Sequence, residues 1–175
     1  MKVDKHLTSL SVIIPVYNEV STIQKCLDRV LNAETCGLDL NIIISDNVST
    51  DGTREILKTI NNPKIKIVLR DKHSGKGANI RSALKQARGD IILIQDADLE
   101  YNPVDYPDII RPFLEAEADV VYGSRLTWAK YHRVLGVSHL LANKLLTWTA
   151  NILFDAIFSD IETATKAFRK DVILD

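Results

Sequence analysis

Four short, almost purely aliphatic runs, three of them followed by stretches with helical spacing, constrain this chain more than any other feature. Leu10-Ser11-Val12-Ile13-Ile14 is the first run, halted by Pro15, and Leu40 to Ile44 is the second. Lys64 to Leu69 and Asp90 to Gln95 are the third and fourth. None shows the apolar/polar alternation of a strand with one wet face, so each predicts a strand covered on both sides. Ser21 is placed to cap a helix whose apolar positions Ile23, Cys26, Leu27, Val30 and Leu31 repeat at helical spacing. Further helices are predicted over Thr53 to Ile60 and Gly77 to Ala87. Strands and helices in this alternation give an α/β fold, a parallel sheet with helices on both faces. Ligands of such sheets bind outside the carboxyl ends of the strands, so chemistry is expected just after each strand.

A chain of 175 residues suits one domain, and 46% apolar with 26% charged residues is ordinary for a globular protein. The net charge of -1 gives no reason to expect nucleic acid as a partner. Cys26 and Cys36 form neither a disulfide framework nor a metal pair, which favours a reducing, cytoplasmic setting. Residues 1 to 9 lack the apolar run of a signal peptide, and no run of about 18 apolar residues predicts a transmembrane helix. Charge is nonetheless uneven. From Val120 to Phe154 there is no Asp or Glu, while Arg125, Lys130, Arg133 and Lys144 fall there. Leu141, Leu145, Trp148, Ile152 and Ala156 recur close to one helical face in the same region.

Four segments after strands carry candidate chemistry. Asp96-Ala97-Asp98 follows the fourth strand, and residues two apart in extended chain point the same way, so both carboxylates can face one site. Hard oxygen ligands suit Mg²⁺ or Mn²⁺, although Asp pairs also end strands and cap helices. Asp46 to Thr53 follows the second strand: Asp46 can accept hydrogen bonds from a ribose or base, Asp51-Gly52 favours a turn, and Ser49 or Thr50 can cap the next helix. After the first strand, Tyr17 can lie along a base and Glu19 can hold a hydroxyl, or Pro15 to Glu19 simply connects strand to helix. His73-Ser74-Gly75-Lys76-Gly77-Ala78-Asn79 is not a P-loop, for it lacks that spacing and the Ser/Thr after Lys. Its glycines allow close backbone approach and Lys76 brings positive charge to a helix start; both suit a diphosphate, the alternative being that the glycines only shape the loop.

The order of these segments resembles the family 2 glycosyltransferases, which have a GT-A fold. Ser11 to Glu19, Asp46 to Thr53, Gly75-Lys76-Gly77 and Gly89-Asp90 through Asp96-Ala97-Asp98 carry the likeness. Gln95 to Tyr101, Asp105-Tyr106-Pro107 and Ala118 to Arg125 resemble more closely the polyprenyl-phosphate branch, which includes dolichyl-phosphate mannose and glucose synthases. Asp160-Ile161-Glu162-Thr163 with Lys166, Phe168 and Arg169 fits that branch too, so the likeness runs from Leu10 to Arg169. It implies one GT-A domain over residues 1 to 175, Rossmann-like, with a mainly parallel sheet. Relatives generally continue with further sheet and helix, so the domain is expected to be C-terminally truncated relative to the family.

By this resemblance Pro15, Tyr17, Glu19, Asp46, Lys76 and Asp96 bind the nucleotide sugar. The family usually has two Asp and a Gly where this chain has Asp46-Asn47-Val48, and Asn47 keeps the capacity to donate and accept. Asp96 and Asp98 hold ribose and metal-bridged diphosphate, with Glu100 completing the shell around Mg²⁺ or Mn²⁺. Arg125 matches an arginine that grips phosphate, and Arg125 with Arg133 is assigned to the acceptor phosphate. Catalysis falls to Asp98 and Arg125. The implied reaction moves a hexose from GDP-mannose or UDP-glucose to a polyprenyl or dolichyl phosphate in one inverting displacement. A lipid monophosphate is already anionic, so no general base is needed. A saccharide hydroxyl would need one, for which Asp160 or Glu162 can be nominated; a non-catalytic nucleotide-sugar-binding module is the third alternative. The basic stretch around Trp128, Tyr131 and Trp148 suits peripheral contact with the cytoplasmic face of a membrane. Alternatively, Leu141 to Ile157 is a helix packed on the sheet with a basic rim. Oligomeric state is not legible.

Overall fold

The four aliphatic runs become the parallel core of a six-stranded sheet. A computed structural model describes residues 7–123, 137–155, 157–161, 163 and 165–174. Along the chain run β1 (Ser9–Val16), α1 (Ile23–Leu31), β2 (Asp39–Asp46), α2 (Thr53–Thr59), β3 (Ile65–Leu69) and α3 (Lys76–Leu84). Then come β4 (Ile91–Ile94), a 3₁₀ turn (Pro103–Asp105), α4 (Tyr106–Glu115), β5 (Val120–Tyr122), α5 (Val137–Phe154), β6 (Lys166–Arg169) and α6 (Lys170–Leu174). The strand order is β3-β2-β1-β4-β6-β5. β1 to β4 are mutually parallel, whereas β6 runs antiparallel to both β4 and β5. The expected mainly parallel α/β sheet is what forms.

Alternate side chains of each strand feed two separate cores, which is why the strands show no polar alternation. Leu10, Val12, Ile14 and Val16 pack with α1 and α4 through Ile23, Leu27, Ile110 and Phe113. Ile13, Ile43 and Ile92 pack on the other face against Ala83, with Ile173 of α6 at its edge. Helices therefore cover both faces.

Several local expectations shift. β1 does not stop at Pro15 but pairs through Val16↔Asp46, while its pairing with β4 ends at Ile13↔Ile94. Ile13 uses its β4-facing carbonyl to accept Gln95 N–H, and alternation turns Pro15 to that same side. The missing N–H of Pro15 thus falls beyond the last paired residue and costs no ladder bond. Ser21 does not cap α1; Thr22 precedes the helix, and its hydroxyl bonds the Glu19 carboxylate. Neither Ser49 nor Thr50 caps α2. Asp51 does that work, accepting from Thr53 N at 3.1 Å and Thr53 Oγ1 at 2.6 Å.

The entry into the sheet is pinned by one carboxylate. Asp90 Oδ2 accepts from Thr8 N, Thr8 Oγ1, Ser9 N and Ser9 Oγ at 2.8–3.2 Å. Partial burial raises the Asp90 carboxyl, and these hydrogen bonds outweigh it, so it titrates below its ordinary value.

α5 overturns the ordinary expectation that an apolar stripe faces inward. Leu141, Leu145, Trp148 and Ile152 do share one face, and they are 61–63% exposed. Ala156 lies outside the described residues. The buried side of α5 is Asn143, Thr147 and Ala150. Asn143 Nδ2 donates to Asp160 Oδ1 at 2.9 Å, Thr147 Oγ1 to Asn143 Oδ1 at 3.1 Å, and Ile161 N to Thr147 Oγ1 at 3.3 Å. This polar ladder holds α5 with its greasy side out, so its apolar stripe is not packed on the sheet. Among the described residues no helix is long and apolar enough to cross a membrane.

Candidate active site

The parallel strands all end on the same edge, so the segments after β1, β2, β3 and β4 converge there. Backbone and side-chain bonds tie the first two together. Asn18, held at φ 56, donates its N–H to Ser49 Oγ and accepts Thr50 N–H on Oδ1, both at 2.9 Å. Glu19 N donates to Thr53 Oγ1 at 2.9 Å and Val20 N to Asp51 Oδ2 at 3.1 Å. The polar residues of Asp46 to Thr53 therefore serve largely to hold Tyr17 and Glu19 in place.

Between these loops and the start of α3 lies an open cavity of about 340 Å³. Six residues expected at the site line it: Pro15, Tyr17, Glu19, Lys76, Asp96 and Asp98. In its lining the rings of Tyr17 and His73 stand 4.6 Å apart, tilted by 54°. His73 is oriented by its Nδ1, 3.0 Å from the Asn47 carbonyl. An aromatic pair with one exposed face suits stacking of a planar base. The carboxylates of Asp96 and Asp98 and the ammonium of Lys76 line the same cavity.

Asp46 is not part of that surface. Its carboxylate is fully buried, 2.5 Å from Arg54 Nε, and accepts Val48 N at 3.1 Å and Ser49 N at 3.3 Å. A guanidinium and two amides occupy it, so the expected contact with ribose or base is replaced by a supporting one. Asn47 lines the cavity instead. Its Oδ1 accepts from Arg70 Nη1 and Ser74 N, each at 3.0 Å, and its Nδ2 donates to Ser74 O. The Asp-to-Asn departure from the family pattern thus has a structural use, tying β2 to the loop after β3. Arg54 and Arg70 carry no signal in the local sequence. They became legible only once Asp46 and Asn47 were seen to need donors.

β4 delivers the acidic pair. Gln95 is buried, donating from Nε2 to Asp96 O at 2.9 Å and accepting Tyr106 O–H at 3.2 Å. Cys26 Sγ lies 3.8 Å from the same carbonyl, and burial with the nearby carboxylates pushes its thiol up to about 12. A neutral floor therefore supports Asp96 from below. Lys76 Nζ stands 2.6 Å from both Asp96 oxygens. Asp98 is exposed, and its Oδ1 accepts Glu100 N at 3.0 Å across Leu99, held at φ 65. Desolvation, then the neighbouring carboxylates of Asp96 and Glu100, raise the Asp98 carboxyl above its ordinary value against the Glu100 amide and Lys76.

The expected three-carboxylate metal shell of Asp96, Asp98 and Glu100 does not assemble among the described residues. Glu100 is not among the residues that line the cavity, and what it gives Asp98 Oδ1 is its backbone N–H, across the turn at Leu99. Two carboxylates facing one cavity still fit a divalent cation that takes its other ligands from a diphosphate and water. Arg125, Arg133 and Glu162 lie outside the described residues. Asp160 is 1% exposed, and its carboxylate accepts from Asn143.

The chain is 28% identical over 144 residues to the dolichol-phosphate mannosyltransferase of Pyrococcus furiosus, covering 78% of this chain and 40% of that one. It is 27% identical over 168 residues to the undecaprenyl-phosphate 4-deoxy-4-formamido-L-arabinose transferase of Aeromonas hydrophila, covering 94% and 50%. It is 30% identical over 165 residues to the low-salt glycan biosynthesis hexosyltransferase Agl6 of Haloferax volcanii, covering 93% and 39%. The chain thus spans half or less of the length of these relatives. The glucosyl-3-phosphoglycerate synthase of Mycobacterium tuberculosis, solved with Mn²⁺, UDP and phosphoglyceric acid, matches with a TM-score of 0.71 at 24% identity, over 94% of this chain and 57% of that one. At that identity the likeness is one of fold, and the fold is GT-A. The profile of glycosyl transferase family 2 matches residues 11–158, and the chain belongs to that family.

Proposed function

We propose that this chain is the donor-binding and catalytic unit of an inverting, metal-dependent glycosyltransferase that moves a hexose from a nucleotide-diphosphate sugar to a polyprenyl phosphate. The observation that carries this reading is the lining of one cavity, which joins an aromatic pair to Lys76, Asp96 and Asp98. A nucleotide sugar calls for both kinds of lining, a flat surface for its base and cation and carboxylate chemistry for its diphosphate and metal. The names of the Pyrococcus and Aeromonas relatives support a polyprenyl-phosphate acceptor.

In the proposed reaction an oxygen of the lipid phosphate bonds the anomeric carbon as the bond from that carbon to the nucleotide diphosphate breaks. The electron pair leaves on the diphosphate, and the configuration inverts. Asp96 and Asp98 would hold Mg²⁺ or Mn²⁺, which supplies charge stabilisation to the leaving diphosphate. Tyr17 and His73 position the base and Glu19 faces the sugar-nucleotide cavity. Lys76 offsets diphosphate charge, and Arg125 and Arg133 are proposed to offset that of the acceptor. The acceptor is anionic from the outset, so no side chain need remove a proton. Burial of Asp160 under α5 speaks against its serving as a base for a saccharide hydroxyl.

The test is direct. Protein, Mn²⁺, polyprenyl phosphate and radiolabelled UDP-glucose or GDP-mannose are incubated and extracted into organic solvent. Label is expected in the lipid fraction with at least one donor. Absence of radioactive lipid with both, while nucleotide still binds, rejects the acceptor.

Peripheral membrane contact belongs to the same proposal. The outward stripe of α5, with Trp148 at 62% exposure, suits the boundary between headgroups and acyl chains, and Lys144 with the acid-free stretch suits anionic lipid. Removing the burial of one Trp costs about 2 kcal/mol, so Trp148→Ser is expected to weaken binding to phosphatidylglycerol vesicles about tenfold or more. Flotation assays check this; equal flotation of both proteins shows that the stripe does not meet lipid.

A further inference from the structure

Lys76 and Asp96 form an ion pair at the cavity, between the first residue of α3 and the second residue beyond β4. Both oxygens of Asp96 lie 2.6 Å from Nζ. The lysine side chain is 54% exposed and the aspartate 15%, so the ammonium reaches in from solvent and covers the carboxylate. The same two oxygens are those a divalent cation would need, and an ammonium and a metal ion cannot both occupy them. Three carboxylates, Glu19, Asp96 and Asp98, line this cavity with Lys76 as the cation among them.

We infer that Lys76 is a latch: it holds Asp96 in place of a divalent cation until metal and nucleotide arrive together, and is then transferred to the donor's diphosphate. This rests on the reading of the site as a metal-dependent nucleotide-sugar site. A long, flexible side chain with three donors can exchange one anionic partner for another with little change in the backbone. The diphosphate offers a stronger anion than a single carboxylate, so the exchange loses no ion pair. The metal gains Asp96 only once the lysine has left it. Metal and nucleotide therefore bind with positive coupling, and by linkage each strengthens the other by the same factor. Metal alone would find a site already neutralised in part, and would also meet the repulsion of a nearby ammonium.

The experiment titrates Mn²⁺ alone, following the electron paramagnetic resonance signal of the free hydrated ion, and then UDP and GDP by calorimetry at saturating Mn²⁺. Wild type is compared with Lys76→Ala, Lys76→Gln and Lys76→Arg, each first shown to keep the wild-type thermal transition. Lys76→Ala and Lys76→Gln are expected to bind Mn²⁺ alone about tenfold more tightly, since losing a competing cation costs the metal nothing. They are expected to bind nucleoside diphosphate about tenfold more weakly, through loss of a charge-assisted contact. Lys76→Arg should restore the weak binding of Mn²⁺ alone. Unchanged or weaker Mn²⁺ binding in both neutral variants overturns the latch, even where the wild type binds Mn²⁺ and nucleotide together. If the wild type binds neither UDP nor GDP in a Mn²⁺-dependent way, the reading of the site itself fails, and the latch with it.

Discussion

Asp98→Ala is expected to lower hexosyl transfer by about a thousandfold at saturating donor, while the thermal transition stays within a degree or two of wild type. A thousandfold is about 4 kcal/mol of barrier, and a metal that neutralises a departing diphosphate supplies several kcal/mol of such stabilisation. The geometry argues for so large an effect and so small a structural cost. Asp98 is exposed and among the described residues accepts only the amide two residues on, so its removal leaves no buried donor there unpaired. Asp96 is different. Its main-chain carbonyl sits on buried Gln95 and Cys26 and its side chain is gripped by Lys76. Asp96→Ala would alter both the metal and the latch, so Asp98 is the cleaner probe. Single-turnover kinetics with Mn²⁺, beside nucleotide calorimetry, checks the prediction. Activity within tenfold of wild type would remove Asp98 from the metal's shell.

Gly89→Ala is expected to cost at least about 3 kcal/mol of folding stability, the upper end of the usual penalty for overpacking. A Cβ there would lie 2.4 Å from Ser11 N, 2.8 Å from Leu10 C and 2.9 Å from Ser11 Oγ. Two of those atoms are backbone of the strand flanked by β2 and β4, which cannot retreat without breaking pairing on both sides. The substitution also crowds the hydroxyl that accepts Gly89 N–H at 2.8 Å and Arg88 N–H at 3.2 Å. Gly77→Ala is the matched control. Its Cβ meets only Arg81 Nη1, at 3.6 Å, within a helix, so it is expected to gain about 0.4–1 kcal/mol. Urea denaturation of the two variants should therefore move the midpoint in opposite directions. Equal shifts would mean that the close approach of Gly89 to β1 does not govern its tolerance.

These two glycines show where reading the chain residue by residue stops. Both stand near the boundary of a predicted element, and nothing local tells them apart. The difference lies in Ser11, 78 residues away from Gly89 along the chain. Asp46 carries the same lesson. Its place after a buried strand made it a natural ligand for ribose, but α2 brings Arg54 within 2.5 Å of it, so its charge is spent inside the protein. For α5, spacing correctly put Leu141, Leu145, Trp148 and Ile152 on one face. Which way that face turned depended on Asn143, Thr147 and Asp160 bonding one another beneath it.

By itself the sequence determined the parallel core of β1 to β4, the helices between them, and the edge on which Tyr17, Glu19, Lys76, Asp96 and Asp98 meet. Those follow from short-range periodicity and from one rule of chain connection, for a buried parallel strand must be aliphatic throughout and must end where its loops end. Tertiary structure alone decided the antiparallel insertion of β6 between β4 and β5, the internal partner of Asp46, the outward face of α5 and the closure of Lys76 on Asp96. Each of these is a choice among partners far apart in the chain. Burial, charge and unmet hydrogen bonds settle such choices only when the whole fold is present.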